Sequence, residues 1–163
     1  MQTLIIFSHT FWDDSKANKA LLNEAQKLAN VKIHNLNTTY PNGVIDIESE
    51  LALLENADRI IFQFPLFWCS TPSLMKEWQD RVLSHILYGS NPALLKGKQF
   101  GIITTIGGDK GSYDGHHGYT MESLLSPLVS AFTYSGCEVV EPLCIFGANA
   151  SNLPLQEYRA RLQ

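Results

Sequence analysis

The sequence predicts a three-layer α/β fold in which helices cover both faces of a parallel sheet. Short apolar runs without alternation, such as residues 3–8 and 59–64, are typical of strands that are buried on both faces. Segments with helical spacing of apolar residues separate these runs, as in βαβ units. The chain has 163 residues, of which 45% are hydrophobic and 17% charged, so it can bury one sizeable core. We therefore expect a single domain over residues 1–163.

The first half of the chain is expected to form two strands and two helices. Apolar residues recur at helical spacing over about residues 15–29, which predicts a helix after the first strand. Residues 31–36 alternate between apolar and polar side chains and therefore predict an edge strand. Asp46 precedes a second segment with helical spacing, and its carboxylate can cap the helix that begins there.

The middle of the chain predicts a strand, a helix and another strand. The buried run at residues 59–64 is followed by Thr71 and Pro72, which predict an N-cap and a first helical residue. This helix is expected to continue to about Leu87, because its apolar residues keep the helical spacing. The next buried run, residues 100–105, predicts the fourth strand.

The last expected elements are a helix over residues 121–134 and a strand over residues 138–146. Pro127 should kink this helix or confine its regular part to the carboxyl side, and Gly136 should end it. Five strands that alternate with helices suit the flavodoxin-like strand order 2-1-3-4-5.

Composition and charge exclude several classes of function. The net charge is −4, from 12 Lys and Arg against 16 Asp and Glu, and the absence of a basic stripe argues against nucleic acid as a partner. No signal peptide and no apolar run of about 20 residues is present, so a cytoplasmic location is expected. Cys69, Cys137 and Cys144 lack the spacing of a zinc site, which predicts reduced thiols and no metal.

The ligand site is expected where the strand order reverses, beyond the carboxyl ends of strands 1, 3 and 4. The loop after strand 1 lacks the glycine patterns of nucleoside triphosphate and Rossmann sites, but it places Ser15 and Asn18 at a helix start. These residues could bind a phosphate through the free N–H groups of the helix, or they could simply cap it. Asp13 and Asp14 should point to solvent if a phosphate binds.

The other two loops carry aromatic residues and glycines. Phe67 and Trp68 follow strand 3, where they could stack on a planar ligand or belong to the core or an interface. Gly107 and Gly108 follow strand 4 and would let the backbone approach a flat ligand. Tyr113 and a histidine of the pair 116–117 are candidate donors to negative charge, unless the histidines are simply exposed. The three loops together predict a planar, anionic ligand that resembles FMN.

Two motifs resemble those of the flavodoxin-like NAD(P)H:quinone oxidoreductases, the DT-diaphorase family. Residues 63–82 read QFPLFWCSTPSLMKEWQDRV, and residues 104–118 read TTIGGDKGSYDGHHG. Both are similar to that family's motifs around its flavin, and the likeness extends over nearly the whole chain. Ile106 interrupts the Thr-Thr-Gly-Gly run of the family, and the loop after strand 1 is longer than usual.

The resemblance implies a role for each part of the site. The flavin phosphate would be bound by Ser15, Lys16, Ala17 and Asn18, with His9 nearby. The isoalloxazine would be lined by Pro65, Leu66, Phe67, Trp68, Thr104, Thr105, Gly107 and Gly108. Tyr113 and His117 would bind the flavin near N1 and O2 and act as the catalytic donors, and Tyr88 together with Trp68 would contact the substrate.

The activity implied is two-electron, ping-pong hydride transfer from NAD(P)H through the flavin to a quinone. The family also contains ancillary subunits of glutathione-gated potassium efflux systems, so a regulatory subunit with a membrane partner is the alternative. A flavin-binding domain with little activity also stays open. A one-electron flavodoxin is less favoured, because the chain lacks the Ser/Thr-rich phosphate loop of those proteins.

The resemblance also implies a homodimer, with the helix that carries Trp78 and with Phe11 and Trp12 at the interface. FMN is predicted rather than FAD, because only 17 residues follow Phe146 and none of them forms an obvious cover for an adenosine. FAD stays the alternative, since Phe11 and Trp12 could stack on an adenine.

Overall fold

The computed structural model describes residues 1–163. Its strands are β1 (Thr3–Phe7), β2 (Val31–Asn35), β3 (Arg59–Pro65), β4 (Gln99–Thr105), β5 (Glu138–Val139) and β6 (Leu143–Ile145). The helices are α1 (Ala17–Ala25), α2 (Leu36–Thr39), α3 (Ile47–Glu55), α4 (Ser73–Trp78), α5 (Ser84–Tyr88), α6 (Met121–Tyr134) and α7 (Leu155–Leu162). A π-helical segment, Gln79–Leu83, joins α4 to α5, and 3₁₀ turns lie at Trp12–Asp14 and Lys110–Tyr113.

The strands form one parallel sheet in the order β2-β1-β3-β4-β5, which confirms the predicted flavodoxin-like topology. Thr3 of β1 pairs with Val31 of β2 and with Arg59 of β3, so β1 lies inside the sheet and β2 at its edge. The predicted fifth strand is divided into β5 and β6, and both parts pair with β4. Pro142 lies between the two parts, and its missing N–H group interrupts the ladder there.

Strand residues alternate between two cores, one on each face of the sheet. On the first face, Ile6, Phe62 and Phe100 pack against α2–α6 in a cluster that includes Trp78. On the second face, strand residues such as Ile61 pack against α1 and α7. The molecule therefore has the three layers that the sequence predicts.

The helices differ from the prediction in several respects. Helix α1 begins at Ala17 and ends at Ala25, because a turn takes the place of its expected last residues. The expected Thr71 cap is wrong: Pro72 occupies the N-cap position of α4, and no side chain caps the helix. Helix α7, which follows β6, is not among the predicted elements.

Helix α6 is continuous through Pro127, so the expectation that its regular part lies only on the carboxyl side is wrong. Proline cannot donate to the carbonyl of Ser123, but the Ser126 hydroxyl donates to that oxygen instead, at 2.8 Å. Thr120 caps the amino end in a capping box with Ser123, and Gly136 follows the last turn with φ of +90°.

Trp78 is fully buried in the first core, where its indole N–H donates to Glu50 at 2.7 Å. The expectation that Trp78 supplies part of a dimer surface is therefore wrong. The apolar stripe of this helix is used for packing inside the protein, together with Met75, Val82 and Ile86.

Candidate functional site

A cavity of about 350 Å³ lies beyond the carboxyl ends of β1, β3 and β4. This is the position that the strand order predicts for a ligand. Its wall combines the start of α1, the loop after β3, the end of β4 and the loop after β6. The 15 lining residues are His9, Asp14, Ser15, Lys16, Ala17, Asn18, Pro65, Leu66, Phe67, Thr105, Ile106, Gly107, Ala148, Asn149 and Ala150.

The amino end of α1 gives the cavity a wall with free backbone N–H groups. The backbone N–H groups of Lys16, Ala17 and Asn18 have no acceptor in the protein, because they precede the first hydrogen bond of the helix. No side chain caps this helix, so the simple capping role considered for Ser15 and Asn18 is wrong. Free N–H groups, the helix dipole and the Lys16 ammonium all favour a negatively charged group here.

His9 borders the cavity as a neutral imidazole. Its Nδ1 accepts the backbone N–H of Phe11 at 3.1 Å, which leaves Nε2 as the nitrogen that carries the proton. Burial lowers the pKa of His9, and the positive charge of Lys19 adds to this effect, while Asp14 opposes it. The ring also packs edge-on against Phe67, with the centroids 5.3 Å apart.

A buried hydrogen-bond chain leads from α7 to the cavity wall. The Tyr158 hydroxyl donates to Gln63 Oε1 at 2.8 Å, and Gln63 Nε2 donates to Asn18 Oδ1 at 3.2 Å. Asn18 Nδ2 then donates to the Thr105 hydroxyl oxygen at 2.8 Å. Asn18 and Thr105 line the cavity, so the chain ends there.

A strained turn lies next to the cavity. Phe67 and Ser70 exchange two backbone hydrogen bonds of 3.0 Å, and the two residues between them, Trp68 and Cys69, have φ of 49° and 62°. Left-handed conformations at two successive non-glycine residues cost free energy, and type I′ turns of this kind normally use Asn-Gly. The turn presents the Trp68 side chain to solvent, with 99% of it exposed.

The loop after β4 forms an outer wall of aromatic rings. The Tyr113 ring lies 5.8 Å from Phe146 and 6.0 Å from Tyr119, measured between centroids. Burial, and to a smaller extent the Cys69 thiol, raise the pKa of Tyr119. His117 is exposed and lies 6.5 Å from the Tyr119 ring.

The structure brings most of the sequence-predicted flavin residues together in one cavity. Those that line it are His9, Ser15, Lys16, Ala17, Asn18, Pro65, Leu66, Phe67, Thr105 and Gly107. The predicted residues outside its lining are Trp68, Tyr88, Thr104, Gly108, Tyr113 and His117.

The residues outside the lining occupy three different places. Tyr113 lies beside Gly108, at 3.3 Å from the position of a Cβ added there. The Thr104 side chain is on the first face of the sheet, and its buried hydroxyl has no hydrogen-bond partner. Tyr88 is 84% exposed at the end of α5. Their roles toward a ligand stay predictions.

Sequence reasoning missed the residues that follow β6. Ala148, Asn149 and Ala150 line the cavity because Ala148 N–H donates to the Ile106 carbonyl at 3.0 Å. The sequence could have indicated them, because the fifth strand ends at the same edge of the sheet as the other strands. The loop that follows it carries the amide of Asn149 among small residues. Asp14 was expected to point to solvent; it is exposed but lines the cavity.

Ile106, the residue that interrupts the glycine motif, is buried and continues the pairing of β4. Its N–H group donates to Ile145 O at 2.9 Å, so Gly107 still lines the cavity. An added Cβ at Gly107 would have nothing within 4 Å, so a flat ligand has room to approach the backbone there.

No group of three or more His, Cys, Asp and Glu side chains is placed to hold a metal ion. None of the helices combines the length and apolar composition needed to cross a bilayer.

The model of a flavodoxin-like fold family matches residues 1–163 of this chain. The sequence is 37% identical over 167 residues to ancillary protein KefF of the glutathione-regulated potassium-efflux system of an Enterobacter species. That match covers 98% of this chain and 94% of KefF.

Two solved structures have nearly the same fold. General stress protein 14 of Treponema denticola, in complex with FMN, superposes with a TM-score of 0.91 at 27% identity, over 99% of this chain and 98% of that one. An NADPH-quinone reductase of P. pentosaceus superposes with a TM-score of 0.89 at 26% identity, over 100% and 98% of the two chains. The chain belongs to the flavodoxin-like family, and NAD(P)H oxidoreductases and quinone reductases are among its relatives.

Proposed function

We propose that this flavodoxin-like chain is an FMN-dependent NAD(P)H:quinone oxidoreductase that works by two-electron, ping-pong hydride transfer. The observation that carries the proposal is the cavity at the strand-order reversal, which is lined both by the helix end with free N–H groups and by the aromatic ring of Phe67. The FMN-bound relative and the NADPH-quinone reductase of similar fold support this assignment. We take the chain as a single domain that acts in the cytoplasm.

The residues present fit a flavin mononucleotide. Its phosphate would accept hydrogen bonds from the free N–H groups of Lys16, Ala17 and Asn18, and the Lys16 ammonium would balance its charge. Phe67 offers an aromatic surface, and Thr105 and the neutral His9 offer hydrogen-bond donors to ring or ribityl oxygens. When bound, the flavin supplies the redox chemistry, since it accepts two electrons from NAD(P)H and passes them to a quinone.

The protein would contribute orientation and charge stabilisation. Tyr113 and His117 are proposed as donors to negative charge that develops on the ligand, and Tyr113 is placed beside Gly108 for this role. A low-dielectric wall strengthens such donors, and Tyr113 is half-buried between Phe146 and Tyr119.

A homodimer is proposed to complete the substrate side of the site. Three large aromatic side chains are exposed: Phe11 is 61% exposed, and Trp68 and Tyr88 are 99% and 84% exposed. Aromatic residues are enriched at subunit interfaces, where they lose this contact with water. Trp68 and Tyr88 would then contact the quinone or nicotinamide across a two-fold axis. Light scattering of the pure protein should give twice the chain mass of 18.2 kDa.

FMN is proposed rather than FAD because Trp12 is already in use within the protein. Its ring packs edge-on against Phe7 at 5.1 Å, and the Lys19 ammonium lies over it at the same distance. Of the two aromatic residues in the loop after β1, Phe11 alone is therefore left to stack on an adenine. Acid release and chromatography of the bound flavin distinguish FMN from FAD.

The colour and absorption spectrum of the purified protein test the proposal directly. A flavin spectrum should bleach when NAD(P)H is added without oxygen and should return on addition of a quinone. Tyr113→Phe and His117→Ala should each slow the bleaching in stopped flow, on the order of 100-fold for a single lost donor, with flavin still bound. A colourless protein that takes up no FMN would contradict the proposal, and unchanged rates in both variants would exclude these two residues.

A regulatory subunit is the second candidate, because the chain is 37% identical to KefF over nearly its full length. Such a subunit would bind flavin and associate with a membrane potassium-efflux protein. Co-purification with an efflux protein from solubilised membranes would support this function. Quinone turnover alone would not exclude it.

A further inference from the structure

We propose that Tyr158 is a positioning residue, which fixes the direction of the buried hydrogen-bond chain and thereby makes the Thr105 hydroxyl a donor to the bound flavin. The inference rests on the proposed function, because it assigns a partner to that ligand. It adds the carboxyl-terminal helix α7 to the site, although no residue of α7 lines the cavity.

The direction of the chain is set at its buried end. Tyr158 is fully buried in the second core, and its hydroxyl has one hydrogen-bond partner, Gln63. If Gln63 were reversed and donated to Tyr158, the phenol proton would have no acceptor inside the core. A buried donor without a partner loses its hydrogen bonds to water and gains none in return, so the arrangement in which Tyr158 donates is strongly favoured.

The amides of Gln63 and Asn18 transmit this direction, since each has one oxygen and one NH₂ group. Gln63 accepts from Tyr158 with Oε1 and must therefore donate with Nε2, so Asn18 receives this proton on Oδ1. Asn18 is left with its NH₂ group toward Thr105 and donates to the hydroxyl oxygen.

Thr105 is the end of the chain and has one hydroxyl proton. Because its oxygen already accepts from Asn18, that proton is free to be donated, and Thr105 lines the cavity. In the reversed chain Thr105 would donate to Asn18 and would offer only lone pairs to a ligand. Flavin oxygens are hydrogen-bond acceptors. The observed direction of the chain therefore lets Thr105 donate to a bound flavin, whereas the reversed direction would place lone pairs against the flavin oxygens.

Helix α7 is fixed firmly enough to serve this role. The Thr3 hydroxyl donates to the Leu162 carbonyl at 3.0 Å, and Arg59 donates to the Arg161 carbonyl at 2.8 Å. Arg159 forms an ion pair with Glu24 of α1. These contacts tie α7 to β1, β3 and α1, and both α1 and β3 contribute residues to the cavity lining.

The experiment is a double-mutant cycle on FMN affinity, measured by quenching of FMN fluorescence with the flavin-free protein. Tyr158→Phe and Thr105→Val should each raise the Kd for FMN about tenfold. The double variant should be no more than about twofold weaker than Thr105→Val alone, because the two residues act through one hydrogen bond.

Tyr40→Phe is the matched control, since it also removes a buried tyrosine hydroxyl, but on the first face of the sheet. It should lower the melting temperature and leave the Kd for FMN within twofold of wild type. Thr105→Ser keeps the hydroxyl and should retain the affinity that Thr105→Val loses. This pair tests the donor even if Tyr158→Phe fails to fold.

Each other outcome overturns the inference. A Kd for Tyr158→Phe within twofold of wild type removes Tyr158 from the site and leaves the proposed function intact. If Tyr158→Phe weakened FMN binding as much in the Thr105→Val background as in wild type, the effect would be general damage to the protein rather than transmission through Thr105. Equal affinity of the Val and Ser variants would show that Thr105 donates nothing, and a wild-type protein that binds no FMN would overturn this inference and the proposed function together.

Discussion

Two buried polar networks lie on opposite faces of the sheet, and they differ in one respect. On the first face, the fully buried Glu50 accepts hydrogen bonds from His34, Tyr40 and Trp78, and the network closes on itself. On the second face, the chain from Tyr158 continues through two amides and ends at Thr105 in the cavity wall. The first network is closed and the second is open.

The difference separates stability from binding. The hydrogen bonds to Glu50 are all made inside the protein, so we expect this network to contribute to folding rather than to ligand binding. The open network leaves one proton at the cavity and can therefore act on a ligand. A buried polar group thus indicates a functional site only when its hydrogen-bond capacity is incomplete within the protein.

The charge of Glu50 is maintained by its partners. Burial by itself raises the pKa of Glu50, but the hydrogen bonds from His34, Tyr40 and Trp78 outweigh burial and leave the pKa below its ordinary value. The carboxylate is therefore the form that fits the cluster, and its removal leaves three oriented donors without their acceptor.

The largest expected effect is on the closed network. Glu50→Gln should lower the free energy of unfolding by about 3 kcal/mol, because an amide cannot accept from all three donors and the pairing with His34 is lost. Urea unfolding at pH 7 measures this change. The exposed Glu55→Gln on the same helix is the control and should change stability by less than about 0.5 kcal/mol. If Glu50→Gln also weakened FMN binding, the separation of the two networks would be wrong.

The next effect concerns the anion-binding end of the cavity. Lys16→Met should raise the Kd for FMN about tenfold, because it removes a charge next to the free N–H groups of α1, and should leave the affinity for riboflavin unchanged. Fluorescence titration with both flavins measures the difference. Lys32→Met, on the edge strand β2, is the matched control. An equal loss for riboflavin would mean that Lys16 does not contact the phosphate.

A smaller effect is expected at the strained turn beside the cavity. Replacing Trp68 by Asn and Cys69 by Gly should stabilise the protein by about 1 kcal/mol, because Asn and Gly adopt positive φ with less strain than Trp and Cys. Thermal unfolding of the ligand-free protein measures the gain. Trp68→Phe with Cys69→Ser keeps the strain and should show no gain. A less stable Asn-Gly variant would mean that contacts of Trp68 or Cys69 outweigh the backbone strain.

The smallest effect is the pH dependence that His9 contributes. Burial lowers the pKa of His9 in the folded protein below the unfolded value of about 6.5, so the unfolded chain takes up the proton first. Stability from the neutral imidazole is therefore complete above about pH 6.5 and is lost as the pH falls toward the folded pKa. Unfolding free energies from pH 8 to pH 5 should show this slope in wild type and a weaker slope in His9→Gln. Identical slopes would exclude His9 as the source.

The fold was largely predictable, because strands buried on both faces are apolar over their whole length. Such strands can be identified from the local sequence alone, without knowing which strands they pair with. The runs before Ser8 and Pro65 located β1 and β3, and the strand-order rule then placed the loops that follow them at the cavity. The cap of α3 at Asp46 was equally local, since the carboxylate accepts the Ser49 N–H three residues away.

The sequence by itself therefore determined the sheet, its order and the residue types around the cavity. Only the tertiary structure decided that Tyr158 reaches Gln63, from which it is 95 residues distant along the chain. It also decided that Trp78 is a core residue bonded to Glu50 and not a surface residue. The physical reason is that periodicity reports which face of an element is buried, whereas a hydrogen-bond partner depends on which elements pack against that face.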